Sequence, residues 1–413
     1  MKKMSEVLSK SNRKVFVNLI CAIASMAVFN AVLQFFVYPC IEKTVGEEKY
    51  GKILFFITLG IICSLSIGGA TSTAFLKSRQ RYIPQASDFF SIVLIMSAFA
   101  CIVSMILSYR YSQNAVELIF VAILVFLYIM YDYSFVDFLQ TNDYPRYLLY
   151  SLIISAGFVI SVPLIFRTKK WEFIIIGFVL GIIYVALRKN IYVNPFKHSN
   201  NYKDSFKASV TLSGSYLLNY ATQNLDRIIL LYLINGTAVS YYYVASLFSK
   251  TLSMLTGPTN KLIISYLTNS KKELSRKVFL IINFFIVLGG IVFYAFCVFL
   301  SPILLDLPFL YPNLVERIVV YIPLASLSQI LIICSSIVVA LDLVVAPEKT
   351  QMLIQVIYAV SFLVLAIVLT NKNQINGFII ASCAAGILRY IVSIIIGVMF
   401  TKKEGEIKNE YNT

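Results

Sequence analysis

The sequence predicts an all-α polytopic membrane protein of about twelve transmembrane helices in two six-helix lobes. Three observations carry that prediction: an apolar composition, a regular series of long apolar runs, and basic residues that gather between the runs. Of the 413 residues, 59% are hydrophobic and 13% charged, whereas soluble domains carry about 25% charged residues. A soluble core of this length has no use for so much apolar surface. A bilayer does, because about twenty apolar residues make one crossing. At roughly 33 residues per span plus connection, the length corresponds to about twelve spans.

In order, the runs are 15–38, 53–75, 89–109, 116–133, 147–166 and 172–188, then 208–233, 237–256, 278–300, 317–341, 352–370 and 376–400. Backbone groups in lipid must be satisfied within their own segment, so each run reads as a helix. The 27 Tyr and 31 Phe partly suit rings at headgroup level, as at Tyr109-Arg110-Tyr111. The first run follows Lys10, Arg13 and Lys14, as a secretory signal would. It is too long for a signal core and no small-residue cleavage site follows, so it reads as a retained span. Val37-Tyr38-Pro39-Cys40 likewise puts bulky residues where a lipoprotein site needs small ones.

The connection from Lys189 to Lys207 is the longest polar one. It suggests an N-terminal lobe over 1–190, a cytoplasmic central loop over 191–207, a C-terminal lobe over 208–400 and a cytoplasmic tail over 401–413. Asn30 and Gln34 match Asn219 and Gln223, Gly46 matches Gly236, and Tyr50 matches Tyr241, at offsets creeping from 189 to 191. These matches fit two parallel halves with a substrate route between them. With the N-terminus inside, 24 of the 35 Lys and Arg fall on the inner side and 9 outside, while Arg227 and Arg389 lie within spans. That bias places both termini in the cytoplasm, although Arg167, Lys169 and Lys170 oppose it locally.

The net charge of +15 is not a nucleic-acid signature, because the basic residues are distributed among connections rather than along one face. The seven cysteines lie in or beside apolar runs without CxxC spacing, so they read as packing residues. His198 is the single histidine, which removes His-based metal clusters and leaves a Ser–His triad only one residue to use. No cofactor is expected.

Span seven carries the most information. Thr211, Ser215, Asn219, Gln223 and Arg227 recur every four residues, with Asp226 beside the last. Such a row is a slowly drifting polar stripe on one helix. It either lines a wet cavity or forms a polar seam against another helix. Arg389 stands mid-span in run twelve, with Ser382, Gly386 and Ser393 on its face. An arginine there costs at least about 2.5–3.5 kcal/mol to insert, so it needs water, an anionic substrate group or a partner such as Asp226. In span eight, Tyr243, Ser246, Lys250 and Ser253 share a face, suited equally to sugar rings and to the interfacial belt. Gly257-Pro258 and Gly68-Gly69 are candidate hinges or packing features. Asp132, Asp137 and Asp143, at and after the end of span four, read first as a solvated loop and second as an ion or entry site. Glu42, Glu47 and Glu48 in the first outer connection are the foothold for a glycosyltransferase, against a neutral turn formed with Lys43, Lys49 and Lys52.

Tyr38-Pro39, followed by Gly46-Glu47-Glu48-Lys49-Tyr50-Gly51, resembles the Wzx-type polysaccharide repeat-unit flippases of the multidrug/oligosaccharidyl-lipid/polysaccharide exporter superfamily. Asp226 ahead of Ile228-Ile229-Leu230, then Gly236, Val239 and Tyr241, looks like the second-half counterpart. Leu307-Pro308-Phe309-Leu310-Tyr311 departs from that pattern, since many relatives place glycine before the tyrosine. The resemblance implies a bacterial cytoplasmic-membrane flippase with two lobes around a central cationic cavity. Its substrate would be an undecaprenyl-diphosphate-linked oligosaccharide, turned from inner to outer leaflet by alternating access. Arg227, Arg389, Asn219, Gln223, Asn30, Gln34, Lys250 and Tyr243 are the candidate binding residues, with Asp226 for coupling or an ion pair. The lipid bilayer and other polysaccharide assembly proteins would be its partners. No nucleotide site is visible, so an ion gradient, the membrane potential or downstream consumption would drive transport. Two rival classes remain at this level: a drug/cation antiporter of the same superfamily, and a membrane glycosyltransferase or polymerase, for which no long outer loop is present.

Overall fold

A computed structural model describes residues 17–18, 20–79, 81–253 and 274–401, and they form an all-α membrane fold. The Gly257-Pro258 pair, Lys261, Lys271 and the tail beyond 401 lie outside the described residues. In the first half, α1 is Ile20–Val45, α2 Glu47–Ser78, α3 Ala86–Ser108, α4 Ala115–Thr141, α5 Tyr144–Thr168 and α6 Trp171–Arg188. In the second half, α7 is Tyr202–Gln223, α8 Leu225–Leu233, α9 Gly236–Ala245, α10 Leu247–Ser253, α11 Arg276–Leu305, α12 Pro312–Ile318, α13 Ile322–Val345 and α14 Glu348–Phe400.

Within the described residues these helices account for the predicted runs. Among the described residues, nine stretches are long and apolar enough to cross a membrane on their own. Runs eleven and twelve share α14, which breaks where predicted: Asn373 and Gln374 leave helical geometry, Gln374 with φ 51°. Runs seven and eight are interrupted helices, α7–α8 around Asn224 and α9–α10 around Ser246. The chain is thus a multi-pass membrane protein, as composition required.

Local signals set the helix ends. Asn114 caps α4, accepting from the Glu117 amide at 2.8 Å, and Asp143 caps α5, accepting from the Arg146 amide at 3.3 Å. Asn235 caps α9 by accepting from Ala238 at 3.0 Å. Each side chain satisfies an amide that the helix start leaves without a partner. Gly46 separates α1 from α2 with φ 81°, a conformation costly to any residue with a Cβ. Two π-helical turns interrupt the regular winding: Leu33–Val37 in α1, which holds Gln34, and Ser64–Gly69 in α2. At the second, Gly68 lets α2 approach the α4 backbone, since a Cβ there would stand 2.9 Å from the Tyr133 amide nitrogen.

The chain divides into two compact units, Met1–Ile228 and Ile229–Thr413. In the first, α7 packs on α2, α3 and the π turn of α2. Its core is aromatic: Phe29 stacks on Tyr131 at 4.7 Å between ring centroids, and Tyr128 lies 4.4 Å from Phe178. Trp171, the only tryptophan, is buried at the start of α6. Its indole N–H donates to Glu117 Oε1 at 3.3 Å, and its ring lies 6.1 Å from Phe56. In the second unit, α14 lies along α13, and α11 packs against α13. Leu274, Phe279, Val338 and Leu341 make its buried centre there.

The carboxylates of span four depart from the solvated-loop expectation. The helix continues to Thr141, beyond the apolar run, and carries Asp132 and Asp137 into the protein. The Ser64 hydroxyl bonds to Asp132. Asp137 pairs with Arg188 at 2.5 Å and accepts from Asn190 Nδ2 at 2.8 Å. Asp143 remains at the helix start, paired with Arg146 at 3.1 Å. Buried Asp88 accepts from the Ser199 amide at 2.9 Å and from its hydroxyl, which fastens the central connection to the first unit.

Candidate functional site

The structure distributes the sequence-derived candidates by unit. Asn30, Gln34, Asn219, Gln223, Asp226 and Arg227 belong to the first; Tyr243, Lys250 and Arg389 belong to the second.

In the first unit, α7 has three faces. Ser205, Ser209 and Ser213 point inward and are buried, and the Tyr216 hydroxyl reaches Thr73 at 3.5 Å. Phe206, Val210, Leu217 and Leu218 form an exposed apolar sector. Thr211, Ser215, Asn219 and Gln223 form a second exposed sector, polar along its length. At 100° per residue the polar sector falls between the buried and apolar sectors. A helix whose outer surface divides in this way meets lipid on one side and water or a polar ligand on the other. The stripe is therefore not the seam that packs α7 onto its own unit; small serines do that. Within it, Gln223 Nε2 donates to Asn219 Oδ1 at 3.1 Å.

The stripe leads to Asp226 and Arg227 at the start of α8, and both are buried. Arg227 donates to the Thr58 hydroxyl of α2 at 3.0 Å, and its charge acts on Tyr38 of α1. Three helices thus converge on this guanidinium. Gln34 is buried within the π turn of α1. Asn30, one turn earlier and half-buried, donates to its own helix at the Met26 carbonyl, 2.8 Å away.

In the second unit, Arg389 is 8% exposed on α14, and its guanidinium carbon lies 4.9 Å from the centre of the Tyr358 ring. Among the described residues no carboxylate pairs with it, and its Nε has no hydrogen-bond partner. A ring face compensates part of a buried positive charge, and leaves the guanidinium fork available to a bidentate anion. Lys250 sits over the Tyr242 ring at 5.3 Å, whereas Tyr243 is buried within the unit and Ser246 donates to the Tyr242 carbonyl at 2.8 Å.

The acidic residues of the first outer connection do not make a loop cluster. Glu42 is buried in α1, and Glu48 pairs with Lys52 at 2.9 Å within the first turns of α2. Among the described residues no group of three His, Cys, Asp or Glu could hold a metal ion. Sequence reading missed Thr58 and Tyr358, the neighbours of the two arginines. Neither shares a helix turn with its partner, so no spacing could have signalled them.

The fold is similar to those of solved membrane proteins. The chain is similar to lipid II flippase MurJ in its inward closed conformation, with 17% identity and a TM-score of 0.68 over 96% of this chain and 88% of that one. It is also similar to a multidrug resistance MATE family transporter of the MOP superfamily. The inward-facing form matches at 12% identity and TM-score 0.65, over 95% of this chain and 99% of that one. The outward-facing form matches at 13% identity and TM-score 0.58, over 97% and 96%. No family model matches the sequence, and no curated protein matches it significantly.

Proposed function

We propose that this protein is a flippase that turns a polyprenyl-diphosphate-linked oligosaccharide from the inner to the outer leaflet of a bacterial cytoplasmic membrane, for surface polysaccharide assembly. The observation that carries the reading is Arg389: a buried guanidinium resting on an aromatic ring, with no carboxylate partner among the described residues. A fixed cation at that depth is suited to an anion that must itself leave water, and diphosphate is the part of such a substrate that hydrocarbon most strongly excludes. Arg227 supplies a second cation, and the exposed polar sector of α7 offers amide groups to sugar hydroxyls. Transport follows from binding, not bond-making: the substrate keeps its covalent structure while the protein alternates the side open to it. The fold likeness to a lipid II flippase supports the lipid-linked class.

A second reading, a drug/cation antiporter, is favoured by the equally extensive likeness to multidrug transporters. Gene deletion in a background without redundant flippases separates the two. Loss of surface polysaccharide with lipid-linked repeat units retained on the inner leaflet supports the flippase. Intact surface polysaccharide with raised drug sensitivity replaces it with the antiporter.

A further inference from the structure

We infer that Asp342, enclosed between Phe279 of α11 and Gly397 of α14, is a proton-binding site of the second unit. Asp342 stands near the end of α13 and is fully buried. Among the described residues neither of its carboxyl oxygens has a hydrogen-bond partner. Its surroundings are apolar and tight: a Cβ added at Gly397 would lie 2.6 Å from Asp342 Oδ1 and closer still to the fully buried Phe279 ring.

The first unit holds a buried carboxyl that is in a structural pair. There Asp137, near the end of span four, meets Arg188 at the end of span six. In the parallel-halves reading, span four corresponds to span ten and span six to span twelve. Asp342 likewise stands near the end of span ten, and the residue of span twelve beside it is Gly397. Among the described residues this carboxyl lacks the cation that Arg188 gives Asp137.

Several charged and polar groups on the helices packed against α13 have other contacts, while the buried Thr370 and Ser393 hydroxyls of α14 have no hydrogen-bond partner among the described residues. Arg276 donates to the Val398 carbonyl at 2.8 Å, and the Tyr390 hydroxyl to Asn283 at 3.4 Å. Lys250 lies over Tyr242, Arg389 over Tyr358, and the Tyr242 hydroxyl accepts from Gln329 at 2.9 Å. None of these groups is hydrogen-bonded to or paired with Asp342. Among the described residues no cation or hydrogen-bond donor offsets the lost hydration of an ionised carboxylate in this place. A metal ion would require several oxygen ligands, and none gathers here among the described residues. The ligand that fits is a single proton. Hydronium delivers it to one carboxyl oxygen, water departs, and one negative charge leaves the unit. The site's use in transport rests on the flippase reading: the enclosed state carries the proton, and release accompanies a state that opens α13 to water. The site itself does not rest on that reading.

Two measurements test this. The first needs no substrate: purified full-length protein in lipid nanodiscs is titrated while carboxyl infrared bands and proton uptake are followed. Wild type should show one more protonated carboxyl than Asp342→Asn, and take up one more proton on acidification, with calorimetric melts that match. Identical titrations overturn the proposal. So does collapse of the fold in Asp342→Asn, because a neutral isostere must be tolerated where the acid is neutral. The second uses proteoliposomes loaded with a polyprenyl-diphosphate oligosaccharide. Asp342→Asn should lower flipping driven by a pH gradient at least tenfold and leave exchange at equal pH intact; undiminished gradient-driven flipping overturns the coupling role. If wild type moves no such lipid, the flippase reading falls and the titration still decides the site.

Discussion

Replacing Arg389 by Gln removes a buried cation while keeping much of its length and hydrogen-bonding capacity. The magnitude can be worked from its surroundings. Insertion of an arginine at bilayer depth costs about 2.5–3.5 kcal/mol. A desolvated cation–π contact, such as that with Tyr358 at 4.9 Å, returns about 2 kcal/mol. The balance, about 0.5–1.5 kcal/mol against the empty protein, is what a bound anion would relieve. Arg389→Gln should therefore leave the melting temperature unchanged or slightly raised. Flipping should fall at least tenfold, the equivalent of about 1.4 kcal/mol, through loss of a charge-assisted bond to diphosphate. Arg389→Lys should retain more transport than Gln, because charge survives, and less than Arg, because the bidentate fork does not. The assay measures protein level, calorimetric melting and flipping on the same preparations. Full transport by Arg389→Gln refutes the binding role. A melting loss as large as that of a core truncation shows instead that the arginine holds the fold.

Other perturbations test the scaffold around the site. Arg227→Gln should cost transport more than stability, since its bond to Thr58 at 3.0 Å can be replaced by an amide; equal transport in the variant and wild type removes Arg227 from the path. Asp137→Ala leaves Arg188 without its carboxylate and should destabilise the first unit by about 3–5 kcal/mol, read as a lowered denaturation midpoint. Gly68→Ala drives a Cβ against the α4 backbone, which cannot move aside as a side chain can; a loss of about 1–3 kcal/mol is expected, and an unchanged midpoint would contradict the close approach. Orientation is checked by single cysteines in a background without native ones: positions 170 and 237 should react with an impermeant reagent from outside, position 198 only after permeabilisation.

Much of the fold was legible because lipid imposes one rule on every span. Apolar runs located the helices, and even the break inside α14 fell where runs eleven and twelve were separated, at Asn373 and Gln374. The four-residue recurrence likewise found the exposed sector of α7, because helical period fixes which residues share a face. Hydropathy gave no warning that α4 would extend past its apolar run to Thr141. Asp132 and Asp137 read as loop residues because their compensation comes from Ser64 and Arg188, far away in sequence. Asp342 was overlooked for a related reason. It follows directly after the predicted run 317–341, at a place where one charged residue normally marks the return to water. Burial by neighbouring helices decided otherwise.

The placement of Trp171 has a practical consequence for every experiment on this chain. As the only tryptophan, enclosed beside Phe56 and Glu117 in the first unit, it makes tryptophan emission, excited beyond the tyrosine absorption band, a gauge of that unit alone. A spectral shift on heating would record when α6 leaves its pocket and stay silent about α11, α13 and α14. Calorimetry registers heat from both units, so the two techniques sample different parts of one molecule. If their midpoints coincide, the halves melt as one cooperative body. If emission shifts at a separate temperature, the halves are energetically independent, and a substitution in one can be repaired only by changes within that same half.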